Sequence, residues 1–144
     1  MNLLIVYPKH TNRFWSIDSA LTLAGLLDGL PPMILLKIAS LLPREWNKKL
    51  IDMNNRVLKD EEICQADYVF ITAMLNQRKS TSKVIAKCKK LNAKIVAYGS
   101  LFTSSDEYYR NVDHLVLDEA EIPTTQFLNN LRNGKPKQKF TSVA

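Results

Sequence analysis

Short apolar runs alternate with longer amphipathic stretches from one end of the chain to the other. Residues 3–7 carry no polar position, as befits a parallel strand buried on both faces. A polar loop over 8–16 and an apolar segment to Leu30 follow. Pro31 and Pro32 then open a helix where proline costs least, and Pro43 stops it after Leu42. A second strand is predicted over 50–53, and Asp60, Glu61 and Glu62 start a short helix whose acidic first turn suits the helix dipole. Residues 68–72 form the clearest strand of all, followed by an amphipathic helix over 80–91 and a fourth strand over 94–98. After a Ser/Thr-rich loop, 114–117 read as the fifth strand. The last helix spans 123–132, with Pro123 near its start and Gly134 just past its end.

Strand and helix thus alternate about five times, which argues for parallel strands joined by right-handed crossovers with helices on both faces. The predicted fold is α/β: a doubly wound, five-stranded parallel sheet of Rossmann or flavodoxin-like type, strand order 2-1-3-4-5. The 144 residues fit one domain, read as 1–134, with 135–144 as a basic tail or linker. The longest greasy stretch, 31–43, is broken by Lys37 and falls short of the roughly 20 apolar residues a bilayer span needs. The first residues lack a basic flank and a long apolar run, so a cytoplasmic protein without a membrane partner is expected.

Charge is unevenly placed. The net charge is +6, and no acidic residue lies between Asp67 and Asp106, where Arg78, Lys79, Lys83, Lys87, Lys89, Lys90 and Lys94 all fall. Lys79, Lys83, Lys87 and Lys90 repeat at helical spacing opposite Val84, Cys88 and Leu91, the pattern of a solvated outer helix face. Such a stripe is also able to face an acidic partner; specific nucleic-acid binding is not expected. The two cysteines, Cys64 and Cys88, make neither a disulfide framework nor a metal knuckle. No CxxxCxxC triplet is present to hold an iron–sulfur cluster.

Ligands of open α/β sheets bind beyond the carboxyl ends of the strands, where strand order reverses. Here that edge comprises the loops after Tyr7, Thr72 and Tyr98, and the segment Asp118, Glu119, Ala120, Glu121. The first loop, from Pro8 to Arg13, contains no glycine, which argues against a dinucleotide fingerprint or a P-loop. Tyr7 and Thr72 stand where a phosphoacceptor domain needs acids. No nucleophile elbow surrounds Ser100, Ser104 or Ser105, and Asp113 projects away from His114 on a strand.

Three blocks of residues carry a resemblance. The first is Phe14, Trp15 and Ser16 with Pro31 and Pro32, then Ala39 through Trp46. The second is Leu50 through Asn54 with Leu58, Asp60 and Glu61, then Ala66 through Met74. The third is Gly99 through Thr103, then Val112 through Leu117 and Glu119 through Glu121. Together they resemble the N-terminal cobalamin-binding domain of cobalamin-dependent radical SAM proteins, in particular the hopanoid methylase-like subgroup. The resemblance implies a Rossmann-like domain that holds cobalamin, with the nucleotide tail at the carboxyl edge of the sheet. In such proteins the domain precedes a radical SAM barrel and presents the corrinoid to it; no complete catalytic site is implied here.

Carried over by position, Thr72, Ala73 and Met74 match a hydroxyl–small–Met strand end lining the tail pocket. Gly99, Ser100 and Leu101 follow the fourth strand, and Glu119 and Ala120 belong to an acidic segment after the fifth. Three positions depart from the pattern: Tyr98 replaces a glycine, Ser100 a proline, and Asp118 a glycine. The phenol of Tyr98 and the carboxylate of Asp118 are expected to clash with the cofactor tail or narrow its slot. His10 lies in the loop where classical cobalamin domains carry a cobalt-ligating histidine, but Pro8 and Arg13 replace its companion Asp and Gly, so an exposed loop histidine rather than a cobalt ligand is expected. Two readings follow: a cobalamin-binding module serving a radical SAM barrel in cis or in trans, or a degenerate, cofactor-free domain acting as a protein-interaction partner.

Overall fold

In the computed structural model, residues 1–10, 33–119, 121–134 and 137–142 are described, residue 34 in its backbone alone. The loop and apolar segment over 11–30, the Phe14–Trp15–Ser16 motif, the two prolines at 31 and 32, and Ala120 lie outside the described residues.

Six parallel strands make one sheet. They are β1 (Asn2–Tyr7), β2 (Asn47–Asp52), β3 (Tyr68–Thr72), β4 (Ile95–Tyr98), β5 (His114–Val116) and β6 (Lys139–Phe140), ordered β2-β1-β3-β4-β5-β6. Strand order therefore reverses between β1 and β3. Among the described residues the helices are α1 (Met33–Leu41), α2 (Asp60–Cys64), α3 (Arg78–Lys90), α4 (Ser100–Ser104) and α5 (Glu121–Arg132), with 3-10 turns at Leu75–Gln77 and Asp106–Tyr109.

The pleat divides the core. Leu4, Val6, Val69, Ile71, Ile95, Ala97 and Leu115 face one side, against Ile63, Val84, Ile85, Cys88, Leu101 and Phe102. Leu3, Ile5, Tyr7, Tyr68, Phe70, Val96, Tyr98 and Val116 face the other, against Leu35, Ile38, Phe127 and Phe140. Strands buried on both faces need helices on both, and this arrangement supplies them.

Of the five helices among the described residues, the sequence reading placed four. It read 99–113 as loop, where α4 and a 3-10 turn form around the buried Leu101, Phe102 and Tyr109. The sheet has six strands rather than five. The extra one lies in the segment read as a tail, and a single aromatic seats it: Phe140 is buried at 5.6 Å from the Phe127 ring. The backbone N–H of Leu115 donates to Gln138 O at 2.5 Å and that of Leu117 to Phe140 O at 2.9 Å. Imidazole Nδ1–H of His114 donates to Lys137 O at 2.5 Å, which gives this buried histidine a structural task. Among the described residues no helix is long and apolar enough to cross a membrane, and no group of three or more His, Cys, Asp or Glu side chains is placed to hold a metal ion.

Candidate functional site

The carboxyl ends of β1 and β3 flank the point where strand order reverses, the position at which doubly wound sheets take their ligands. Val6 is in register with Ile71, so Tyr7 and Thr72 are the next positions along the two strands. Thr72 is fully buried, and its Oγ1 has no hydrogen-bond partner. Buried hydroxyls are ordinarily satisfied, so this orphan at the switch point stands out, although Thr81, Tyr109 and Thr124 carry unpartnered buried hydroxyls elsewhere in the fold.

The chain leaving β1 is fixed by its neighbours. Pro8 O accepts from Gln77 Nε2 at 2.5 Å, Lys9 N donates to Ser80 Oγ at 2.9 Å, and His10 N donates to Asn54 Oδ1 at 3.0 Å. Asn54 is held in turn by Asp52, whose Oδ1 accepts from its backbone and side-chain nitrogens at 2.9 and 2.8 Å. The Tyr7 hydroxyl lies 2.9 Å from His10 Nε2 and 3.8 Å from Met74 Sδ, with the Tyr7 and His10 rings edge to face at 5.3 Å. One imidazole nitrogen of His10 is therefore engaged by a phenol; the other, Nδ1, is buried and unpartnered.

Of the residues singled out from the sequence, Thr72, Ala73, Met74, Gly99, Ser100 and Leu101 come together at the adjoining ends of β3 and β4. Ala73 is buried; its N–H donates to Tyr98 O at 2.9 Å and its carbonyl accepts from Leu101 N at 3.3 Å. Met74 is exposed, while its N–H donates to Gln77 Oε1 at 2.7 Å. Gly99 has φ +124°, and a Cβ there would overlap the Ala73 carbonyl. The small residue at 73 and the glycine at 99 thus allow two strand ends to touch. Ser100 is exposed at the start of α4, Leu101 belongs to the core, and Glu119 is exposed beyond β5.

Two of the three departures from the resembled pattern, Tyr98 and Asp118, have visible consequences. Tyr98, in register with Thr72, is 8 % exposed and packs in the core on the Tyr7 side of the sheet. Asp118 keeps the left-handed backbone a glycine would favour, with φ +62°. Its N–H donates to Thr103 Oγ1 at 3.0 Å, and its Oδ2 accepts from Ser142 N and Oγ at 3.2 and 3.1 Å. The carboxylate thus anchors the segment after β6. Sequence reasoning missed Gln77, a fully buried amide that ties the β1 loop to the turn after β3. A glutamine five residues past a buried strand end is the one signal it leaves.

No family model matches the chain. Over 138 residues it is 37% identical to an uncharacterized methyltransferase of Synechocystis sp., a match covering 94% of this chain and 26% of that protein. Both of the curated relatives it matches are named for methyl transfer. The other, the hopanoid C-2 methylase of Rhodopseudomonas palustris, is 27% identical over 138 residues, covering 95% of this chain and 26% of the methylase. The chain spans about a quarter of the length of these relatives.

Proposed function

We propose that this chain is the cobalamin-binding module of a radical SAM methyltransferase-type system and holds no complete catalytic site of its own. The observation that carries the proposal is the buried, unpartnered Thr72 hydroxyl at the sheet's switch point. That group fits a nucleotide-tail nitrogen: an O–H donor sealed from water gains a full hydrogen bond when an acceptor arrives. Thr72, with Met74 beside it and Gly99 permitting the close approach of the strand ends, would hold the tail. When bound, cobalamin supplies the methyl-carrying chemistry, and the chain's own task is to bind and orient it. The methyltransferase names of the relatives support the reading, as does the chain's match to only a part of each.

Tyr98 favours a second reading, a cofactor-free interaction domain, because its ring is buried next to Thr72 on the same sheet face. Gel filtration after incubation with hydroxocobalamin separates the two. Co-elution of corrin absorbance with the protein, lost in Thr72→Val, supports the module. Elution of well-folded protein without corrin absorbance overturns it in favour of the second reading.

A further inference from the structure

A second feature lies on the opposite sheet face from Thr72. The turn at Leu75–Gln77, the first two turns of α3 and the turn at Asp106–Tyr109 enclose an open groove of about 540 Å³. Leu75 and Tyr108, 54% and 70% exposed, are its apolar walls; Arg78, Lys79 and Lys83 are its charged ones. None of these three cations has an ion pair among the described residues. Arg78 Nη2 donates to the hydroxyl of Ser105 at 3.3 Å. Two cations in the first turn of a helix also oppose its dipole, so this placement costs stability that no ion pair among the described residues offsets.

Tyr108 is exposed but not loose. Its ring stands edge to face on Tyr109 at 5.0 Å, and buried Tyr109 is braced in turn on Phe102 at 4.8 Å. An exposed aromatic whose orientation is already fixed loses little freedom on binding and makes an efficient interface anchor.

We infer that this groove docks an acidic, apolar-bearing segment of a partner protein, with Tyr108 and Leu75 taking its apolar side chains and Arg78, Lys79 and Lys83 its carboxylates. Charge complementarity selects the partner: the acids of the adjoining turn, Asp106 and Glu107, face Lys139 and Arg110 instead, which leaves the three groove cations without an ion pair among the described residues. The exposed aliphatic wall of Leu75 favours a protein over a nucleic acid, for which it offers neither stacking nor a hydrogen bond.

The test is fluorescence anisotropy with a labelled peptide alternating glutamate and phenylalanine. The wild-type chain is expected to bind it saturably, and more weakly as salt rises. Paired substitution Lys79→Glu and Lys83→Glu should weaken binding about tenfold or more, and Tyr108→Ala about fivefold without altering the salt dependence. The pair Lys89→Glu and Lys90→Glu, on exposed positions of the same helix outside the groove, changes net charge equally and should cost less than about twofold. Every substituted side chain is exposed, so circular dichroism should be unchanged. Absence of saturable binding, equal loss from the two charge-reversal pairs, or tighter binding of a single-stranded RNA of matched charge overturns the inference.

Discussion

Gly99 and Ala73 meet so closely that a Cβ on residue 99 would overlap the Ala73 carbonyl oxygen and stand 3.0 Å from its carbonyl carbon. The contact joins the ends of β3 and β4, and backbone cannot yield as a flexible side chain can. Gly99→Ala adds this clash to the strain of φ +124°, so a loss of about 3 kcal/mol is expected. In a domain of this size that is a fall of roughly 10 °C in Tm. Thermal unfolding within a degree or two of wild type contradicts the geometry.

Thr72→Val replaces an unsatisfied buried hydroxyl with a methyl of the same shape. Ligand-free protein should be as stable or gain about 1 kcal/mol, while hydroxocobalamin retention falls about tenfold. Urea denaturation and equilibrium dialysis on the same preparation measure both. A clear loss of stability would show that the hydroxyl is bonded within the fold.

Glu62 governs part of the acid response. Burial pushes its carboxyl up, but the Lys59 backbone N–H at 3.0 Å, Arg56 at 2.6 Å and Lys49 at 2.9 Å outweigh that and hold it at about 2, below the usual 4.5. Because the folded value is the lower, its stabilisation is present above about pH 4.5 and is lost as pH falls toward 2. Glu62→Gln should cost about 2 kcal/mol at pH 7, and the gap to wild type should narrow over that window. Denaturation at a series of pH values checks it; a gap constant with pH argues against it.

Asp118 separates two contributions. Asp118→Gly keeps the left-handed backbone without strain but loses the bonds to Ser142, and should fall within about 0.5 kcal/mol of wild type. Asp118→Ala loses the bonds and keeps the strain, and should cost about 1–2 kcal/mol. Reversal of that ranking in chemical denaturation would remove the backbone argument.

The thiols should differ sharply. Cys88 is buried, and burial raises its thiol to about 11, whereas Cys64 is exposed. At pH 8 a maleimide should modify Cys64 quickly and Cys88 only after unfolding, as mass spectrometry will resolve. Rapid double labelling of native protein would show that the α3 face opens.

The fold was legible wherever burial was strong. Residues 68–72 are apolar throughout, and β3 lies there buried along its whole length. The first half of β2 was not, because Asn47, Lys48 and Lys49 occupy an edge strand whose pattern alternates with solvent. The two-residue β6 left no periodicity to read, and Phe140 sits among lysines and polar residues. At the candidate site, the Thr72–Ala73–Met74 run was visible as a motif. Its partners were not, because Gln77, Asn54 and the Gly99 contact depend on where separate loops meet in space.

Since β6 runs parallel to β5 and Ser142 reaches Asp118 beyond its end, the last described residues emerge on the Thr72 rim, whereas Met1 stands at the far margin of the sheet. Attachment chemistry follows from this. A dye or immobilising group joined after Ser142 reports from, or obstructs, the rim that carries Thr72, and one joined at Met1 leaves that rim clear.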